Sequence, residues 1–138
     1  MRRDALHDGR RLMLIDVTRL ADRTLQGRLP TGVDRVSLEY VRHFRAHAQA
    51  LVRVGGRWVI VNQENSQRVF QALLEPREDS SNTIRWCVGR SYVLNWRESS
   101  EPVVLLNTGH SGLDSDTYAT HIQRRGWKSI FFLHDLIP

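Results

Sequence analysis

Short apolar runs alternate along this chain with segments that repeat at helical spacing. Leu12-Met13-Leu14-Ile15 is bounded by Arg10-Arg11 and by Asp16. An unbroken apolar run of this kind suits a strand buried on both faces of a parallel sheet. A polar stretch follows over 18–30. Thr31-Gly32-Val33-Asp34 then reads as a helix start, with threonine at the cap and a carboxylate three residues on. Behind it Val33, Val36, Tyr40, Val41, Phe44 and Ala48 recur at three- and four-residue steps, which predicts an amphipathic helix of about four turns. Glu39, placed between Arg35 and Arg42 at helical spacing, adds weak surface support.

Leu51-Val52-Arg53-Val54 and Trp58-Val59-Ile60-Val61 flank Gly55-Gly56 and predict a hairpin. Residues 65–74 fit a short helix burying Val69, Phe70, Leu73 and Leu74. The stretch 75–82 is polar, contains Pro76 and predicts a loop; 84–96 keeps neither the helical nor the strand period. Val103-Val104-Leu105-Leu106 is another strand-like run, ending in Asn107-Thr108-Gly109-His110. Asp114 or Ser115 caps a helix that carries Tyr118, Ala119 and Ile122 and stops at Gly126. Ile130-Phe131-Phe132-Leu133 lacks polar alternation and predicts an interior strand, followed by His134-Asp135-Leu136-Ile137-Pro138. Strand and helix alternation of this kind predicts one α/β domain over 1–138 with a mostly parallel sheet flanked by helices.

Composition narrows the function classes. The chain has 138 residues, 41% hydrophobic and 25% charged, which excludes general disorder. Its single cysteine, Cys87, excludes an internal disulfide and a four-thiolate metal site, and reads as a small buried hydrophobe. The run from Ile130 to Leu133 is far shorter than the roughly 20 residues of a membrane helix. The N-terminus is charged with no apolar stretch behind it, which predicts a cytoplasmic protein without a secretory signal. The net charge is +5, and Lys128 is the only lysine among the basic residues. A basic balance favours anionic partners. The arginines are nonetheless dispersed, the densest groups being Arg2-Arg3, Arg10-Arg11 and Arg124-Arg125. A solvated basic surface is therefore the plainer reading, and a nucleic-acid partner is not expected.

In open α/β sheets, ligands bind beyond the carboxyl ends of the strands. Asp16, Thr18 and Arg19 follow the first strand, Asn107, Thr108, Gly109 and His110 follow the run at Val103, and His134 and Asp135 follow the last. Three strands thus end in hydrogen-bonding residues, and the helix start at Thr31-Gly32 should open on the same edge. Free amides at a helix start favour anions, and glycine permits close approach. His134 beside Asp135 suits proton transfer or a hydroxyl contact, although a histidine that simply orders a turn explains the same spacing. His110 either contacts a ligand or caps the turn around Gly109 and Gly112. His43 and His47 have a metal-compatible spacing but lack a suitable acidic neighbour, so a surface position is expected and no metal is assigned. Trp58, Trp86, Trp96 and Trp127 are widely separated and read as packing anchors.

Three stretches together resemble a known family: Leu14-Ile15-Asp16-Val17-Thr18-Arg19-Leu20, Pro30-Thr31-Gly32-Val33-Asp34-Arg35-Val36, and the closing Phe132-Leu133-His134-Asp135-Leu136-Ile137-Pro138. The set is similar to the N-terminal half of bacterial GT-B-fold retaining glycosyltransferases of the "group 1" class, which build surface polysaccharides. The resemblance implies a Rossmann-like acceptor-side domain, facing a nucleotide sugar and a glycan or lipid-linked acceptor, with peripheral membrane contact and no organic cofactor. It places Thr31 and Gly32 toward the donor phosphates and His134 near the transferred sugar, in the catalytic position. Asp135 would support the turn of His134, with Arg35 and His110 as further substrate contacts. Enzymes of that family continue into a donor-binding C-terminal domain, which has no counterpart in 1–138. The expectation is therefore of a domain inactive by itself, a fragment or one half of a split enzyme. Two other classes stay open: a small basic nucleic-acid-binding α/β domain, and a non-catalytic interaction domain whose polar strand ends are only turns.

Overall fold

The computed structural model describes residues 12–94, 103–109 and 116–131. It is an α/β fold with a five-stranded, mostly parallel sheet flanked by helices, consistent with a Rossmann-like architecture. The strands are β1 (Leu12–Asp16), β2 (Ala48–Val54), β3 (Arg57–Ile60), β4 (Val103–Asn107) and β5 (Lys128–Phe131). The helices are α1 (Thr18–Leu25), α2 (Gly32–Phe44), α3 (Gln63–Leu74), α4 (Ser80–Leu94) and α5 (Asp116–Arg125), with a 3-10 turn at Arg45–His47 between α2 and β2. The spatial order of the strands is β3-β2-β1-β4-β5. β1 runs parallel to β2 and β4, and β5 parallel to β4; only β3 is antiparallel, folding back on β2.

Each strand feeds both faces because alternate side chains point opposite ways. Ile15, Ala50, Val52, Val59 and Leu106 join a core on one face, beneath α1, α2, α3 and α4. Leu14, Leu51, Val103 and Leu105 join a second, smaller core with Tyr118 and Ile122 of α5. Apolar runs without alternation therefore mark the central strands, as the sequence predicts for β1. The hairpin is also as expected, and its turn depends on glycine: Gly55 and Gly56 have φ of 55° and 81°, a region that side chains with a Cβ adopt only with strain.

Four expectations change. Ala48, expected on the helix that begins at Thr31, instead opens β2, because α2 ends at Phe44 and a 3-10 turn follows. The polar stretch over 18–30 contains α1, an amphipathic helix that buries only Thr18, Leu20 and Ala21. Three buried positions in eight residues leave a mostly polar string. Of the unassigned segment 84–96, the described part, 84–94, belongs to α4, which starts at Ser80 inside the expected loop. Its apolar residues surround the helix, with Ile84, Cys87 and Val88 buried and Trp86, Val93 and Leu94 exposed, so no single stripe stands out. Finally, the strand at Ile130 is not interior. It runs from Lys128, and β5 is the edge of the sheet among the described residues. Ile130 is 48% exposed. It is in register with Leu106, and among the described residues no helix extends far enough across this face to cover it.

Candidate functional site

The chain leaves β1 toward β2 through helices on one face, and leaves β4 toward β5 through α5 on the other. The direction of winding thus reverses between β1 and β4. In doubly wound sheets this reversal opens a crevice beyond the carboxyl ends of the two strands. The residues there are Asp16 and Thr18 on one side and Asn107, Thr108 and Gly109 on the other.

On the α5 face Leu14 and Leu105 lie in register; two residues further along, Asp16 at the end of β1 is in register with Leu51 of β2, with Arg53 next on the same face of β2 and Asn107 at the end of β4. The buried Asp16 carboxylate accepts from the Thr18 amide at 3.0 Å and the Thr18 hydroxyl at 2.6 Å. Its other oxygen accepts from Arg53 Nε at 3.1 Å and from the Tyr118 hydroxyl at 3.0 Å. Asn107 Nδ2 donates to the Tyr118 hydroxyl at 2.9 Å, and Asn107 Oδ1 accepts from the Gly109 amide at 3.2 Å. The Arg53 guanidinium also lies 4.8 Å from the centre of the Tyr118 ring. A carboxylate, a phenol and an amide thus tie the ends of β1 and β4 together. Burial, and then the charge of Asp16, push the Tyr118 phenol far above its ordinary range, so it acts as a neutral hydrogen-bond bridge.

A second polar cluster lies beside the first, at the start of α2. Asp34 Oδ2 accepts from the Thr31 amide and hydroxyl, both at 2.8 Å, while the Asp34 amide donates to the Thr31 hydroxyl at 3.4 Å, a complete capping box. Asp34 is 1% exposed and is flanked by two arginines of α1, Arg19 Nε at 2.8 Å and Arg23 Nε at 2.9 Å. Burial alone would raise the Asp34 carboxyl. The hydrogen bonds from Thr31 and Arg19 outweigh it and hold the group below its usual value. The two clusters touch through Gly109: a Cβ placed there would come within 3.3 Å of Arg19 Cδ and 3.9 Å of Ser37 Oγ. The strand end and the two helix starts therefore close on one another.

The structure places the predicted residues unevenly. Thr31 and Gly32 sit, as expected, at the start of α2 beside the strand ends, and both are exposed. A Cβ at Gly32 would meet nothing within 4 Å, so its backbone is open to approach. Arg35 is exposed in the first turn of α2, with no ion pair among the described residues. His110, His134 and Asp135 lie outside the described residues. Cys87 is fully buried, and its thiol is raised by burial, in keeping with a packing role. His43 and His47 are exposed, and no metal-binding cluster occurs among the described residues. Trp58 packs against Tyr118, His121 and Trp127 as an anchor. Trp86 does not: it is half-exposed, with Arg68 and Arg90 near its ring. No helix of the described residues is long and apolar enough to cross a membrane.

Sequence reasoning overlooked Arg53 and the hydroxyl role of Tyr118. A charged residue inside the otherwise apolar run Leu51-Val52-Arg53-Val54 is a usable signal, because an arginine largely withdrawn from water needs a partner. No family model, curated protein or solved structure matches this chain.

Proposed function

We propose that this chain forms the acceptor-side wall of a sugar-transfer site, as the N-terminal domain of a GT-B-type retaining glycosyltransferase. The observation that carries this reading is the exposed Thr31–Gly32 helix start, backed by Arg19 and Arg23, at the reversal edge of a Rossmann-like sheet. Unpaired amides at a helix start and nearby guanidinium groups favour phosphate. Two of the three stretches that resemble the family, those at 14–20 and 30–36, meet in this place. In this reading a nucleotide sugar lays its phosphates over Gly32, the acceptor approaches along the strand ends, and a second domain supplies the rest of the donor site. Closing that cleft orients the reactants and removes water, so the domain by itself does not turn over.

The test is a titration of isotope-labelled chain with UDP-, GDP- and ADP-linked sugars, followed by amide NMR. Saturable shifts centred on Thr31, Gly32 and Val33 are expected with at least one of them. Gly32→Val should abolish those shifts and change the melting temperature little, since a Cβ at this exposed position meets nothing within 4 Å. Absence of shifts at Gly32 at millimolar ligand, in a folded protein, rejects the reading.

A further inference from the structure

A separate recess lies beside the start of α2, where the ends of α1 and α3 meet the starts of α2 and α4. Its volume is about 310 Å³, at the small end of the roughly 300–1,000 Å³ usual for ligand pockets. Leu20 and Leu73, both buried, and the half-buried Leu38 supply much of its apolar lining. Leu29 stands at the lip and is 85% exposed. A lone exposed leucine is unremarkable, but here it continues the apolar surface of the recess into solvent.

The polar groups of the recess are strongly one-sided. Arg23, Arg28 and Arg77 line it, and Asp34 is its only carboxylate among the described residues. Asp34 is already shared by Arg19 and Arg23. Arg28 has no ion pair among the described residues, and Arg77 reaches Glu75 only at 3.9 Å, with both side chains largely in water. A pair of that kind contributes little and is easily exchanged. The hydroxyls of Thr24 and Ser81 already donate to backbone carbonyls, those of Leu20 and Thr24. Few groups remain to read the many hydroxyls of a sugar. What remains is an apolar recess and unsatisfied positive charge at its mouth.

We infer that this recess binds a small amphipathic anion: a compact apolar body carrying one phosphate or carboxylate. The body would displace water from Leu20, Leu38 and Leu73, and the anionic head would meet Arg28 and Arg77, whose guanidinium groups suit oxyanions. The ligand enters as a single dissolved molecule, because Leu20 and Leu73 are buried and Leu38 half-buried, leaving only Leu29 at the lip within reach of a bilayer plane. The inference does not rest on the sugar-transfer reading, since its residues differ from the Thr31–Gly32 amides.

The test uses 1-naphthyl phosphate, uncharged 1-naphthol and inorganic phosphate as probes of the whole chain, by calorimetry and amide NMR. Saturable binding of 1-naphthyl phosphate is expected, with shifts at Arg28, Leu29, Leu38 and Ser81. Naphthol and inorganic phosphate should each bind at least tenfold more weakly. Arg28→Ala combined with Arg77→Ala should weaken 1-naphthyl phosphate at least tenfold while far-UV circular dichroism and melting stay unchanged; the single variant Arg28→Glu should act in the same direction. Equal binding of naphthol, equal binding of inorganic phosphate, shifts confined to Thr31 and Gly32, or binding only to phosphatidylglycerol vesicles would each overturn the inference. A failure of nucleotide sugars to shift Gly32 leaves these expectations intact, so the two readings fail separately.

Discussion

Tyr118 shows how much one hydroxyl can organise. It donates to Asp16 and accepts from Asn107, so it links β1 to β4 across the point where the sheet reverses. Tyr118→Phe keeps the ring that packs on Trp58 and removes only the bridge. The loss leaves Asp16 and Asn107 each short of a partner in a buried place, which should lower stability by about 1–2 kcal/mol in a urea titration. The same residue sets an alkaline limit. Its phenol is held neutral in the fold, whereas the unfolded chain ionises above about pH 10. Its contribution is therefore fully present below that value and is lost as pH rises beyond it. Tyr118→Phe should be less stable than the parent at neutral pH and should flatten the part of the alkaline limb that Tyr118 contributes. An alkaline limb of unchanged slope would count against the bridge.

At the scale of elements, α2 owes its start to a capping box whose carboxylate also fastens α1 through Arg19 and Arg23. A single residue thus caps one helix and docks another against it. Because the Asp34 carboxyl is held below its ordinary value, its stabilisation is present above the unfolded carboxylate value of about 3.9 and is lost as pH falls through the lower folded value. Asp34→Asn should cost about 1–2 kcal/mol at neutral pH, the lower part of the range for charged hydrogen bonds, since Arg19 is partly solvated and screened. It should also reduce the loss of stability as pH falls below the unfolded carboxylate value of about 3.9. Denaturant midpoints across that range check both statements. An acid limb of undiminished slope in the variant would show that other carboxylates govern it.

For the molecule as a whole, the asymmetry of the two faces matters most. Among the described residues, four helices cover one side of the sheet, α5 lies on the other, and β5 forms an edge with Ile130 half in water. Exposed edges of this kind promote association unless they carry charge or cover. Ile130→Lys should therefore change the melting free energy by no more than about 0.5 kcal/mol, while lowering any self-association seen by sedimentation velocity. A large loss of stability would mean that Ile130 is covered in solution.

Periodicity alone determined most of the scaffold: the buried run of β1, the glycine hairpin, the α2 start and the α/β class. These features are legible because they rest on local physics, namely side-chain period, capping chemistry and positive φ at glycine. Helix α1 escaped because three buried positions make too narrow a stripe to see, and α4 because its apolar residues surround it. The strand ends at Asp16, Asn107 and Gly109 could be placed on one edge from chain order alone. Their joining could not, since Tyr118 reaches Asp16 across 102 residues of sequence. The same holds for Arg53, whose partner lies on a neighbouring strand, and for the arginine-rimmed recess, assembled from the ends of four helices. Ile130 makes the point in reverse: an apolar run records a preference for burial, and only the order of strands decides whether anything lies over it. Sequence specified which groups each element offers; the tertiary structure decided which of them meet, because contacts between distant segments depend on how helices and strands pack and not on any period within them.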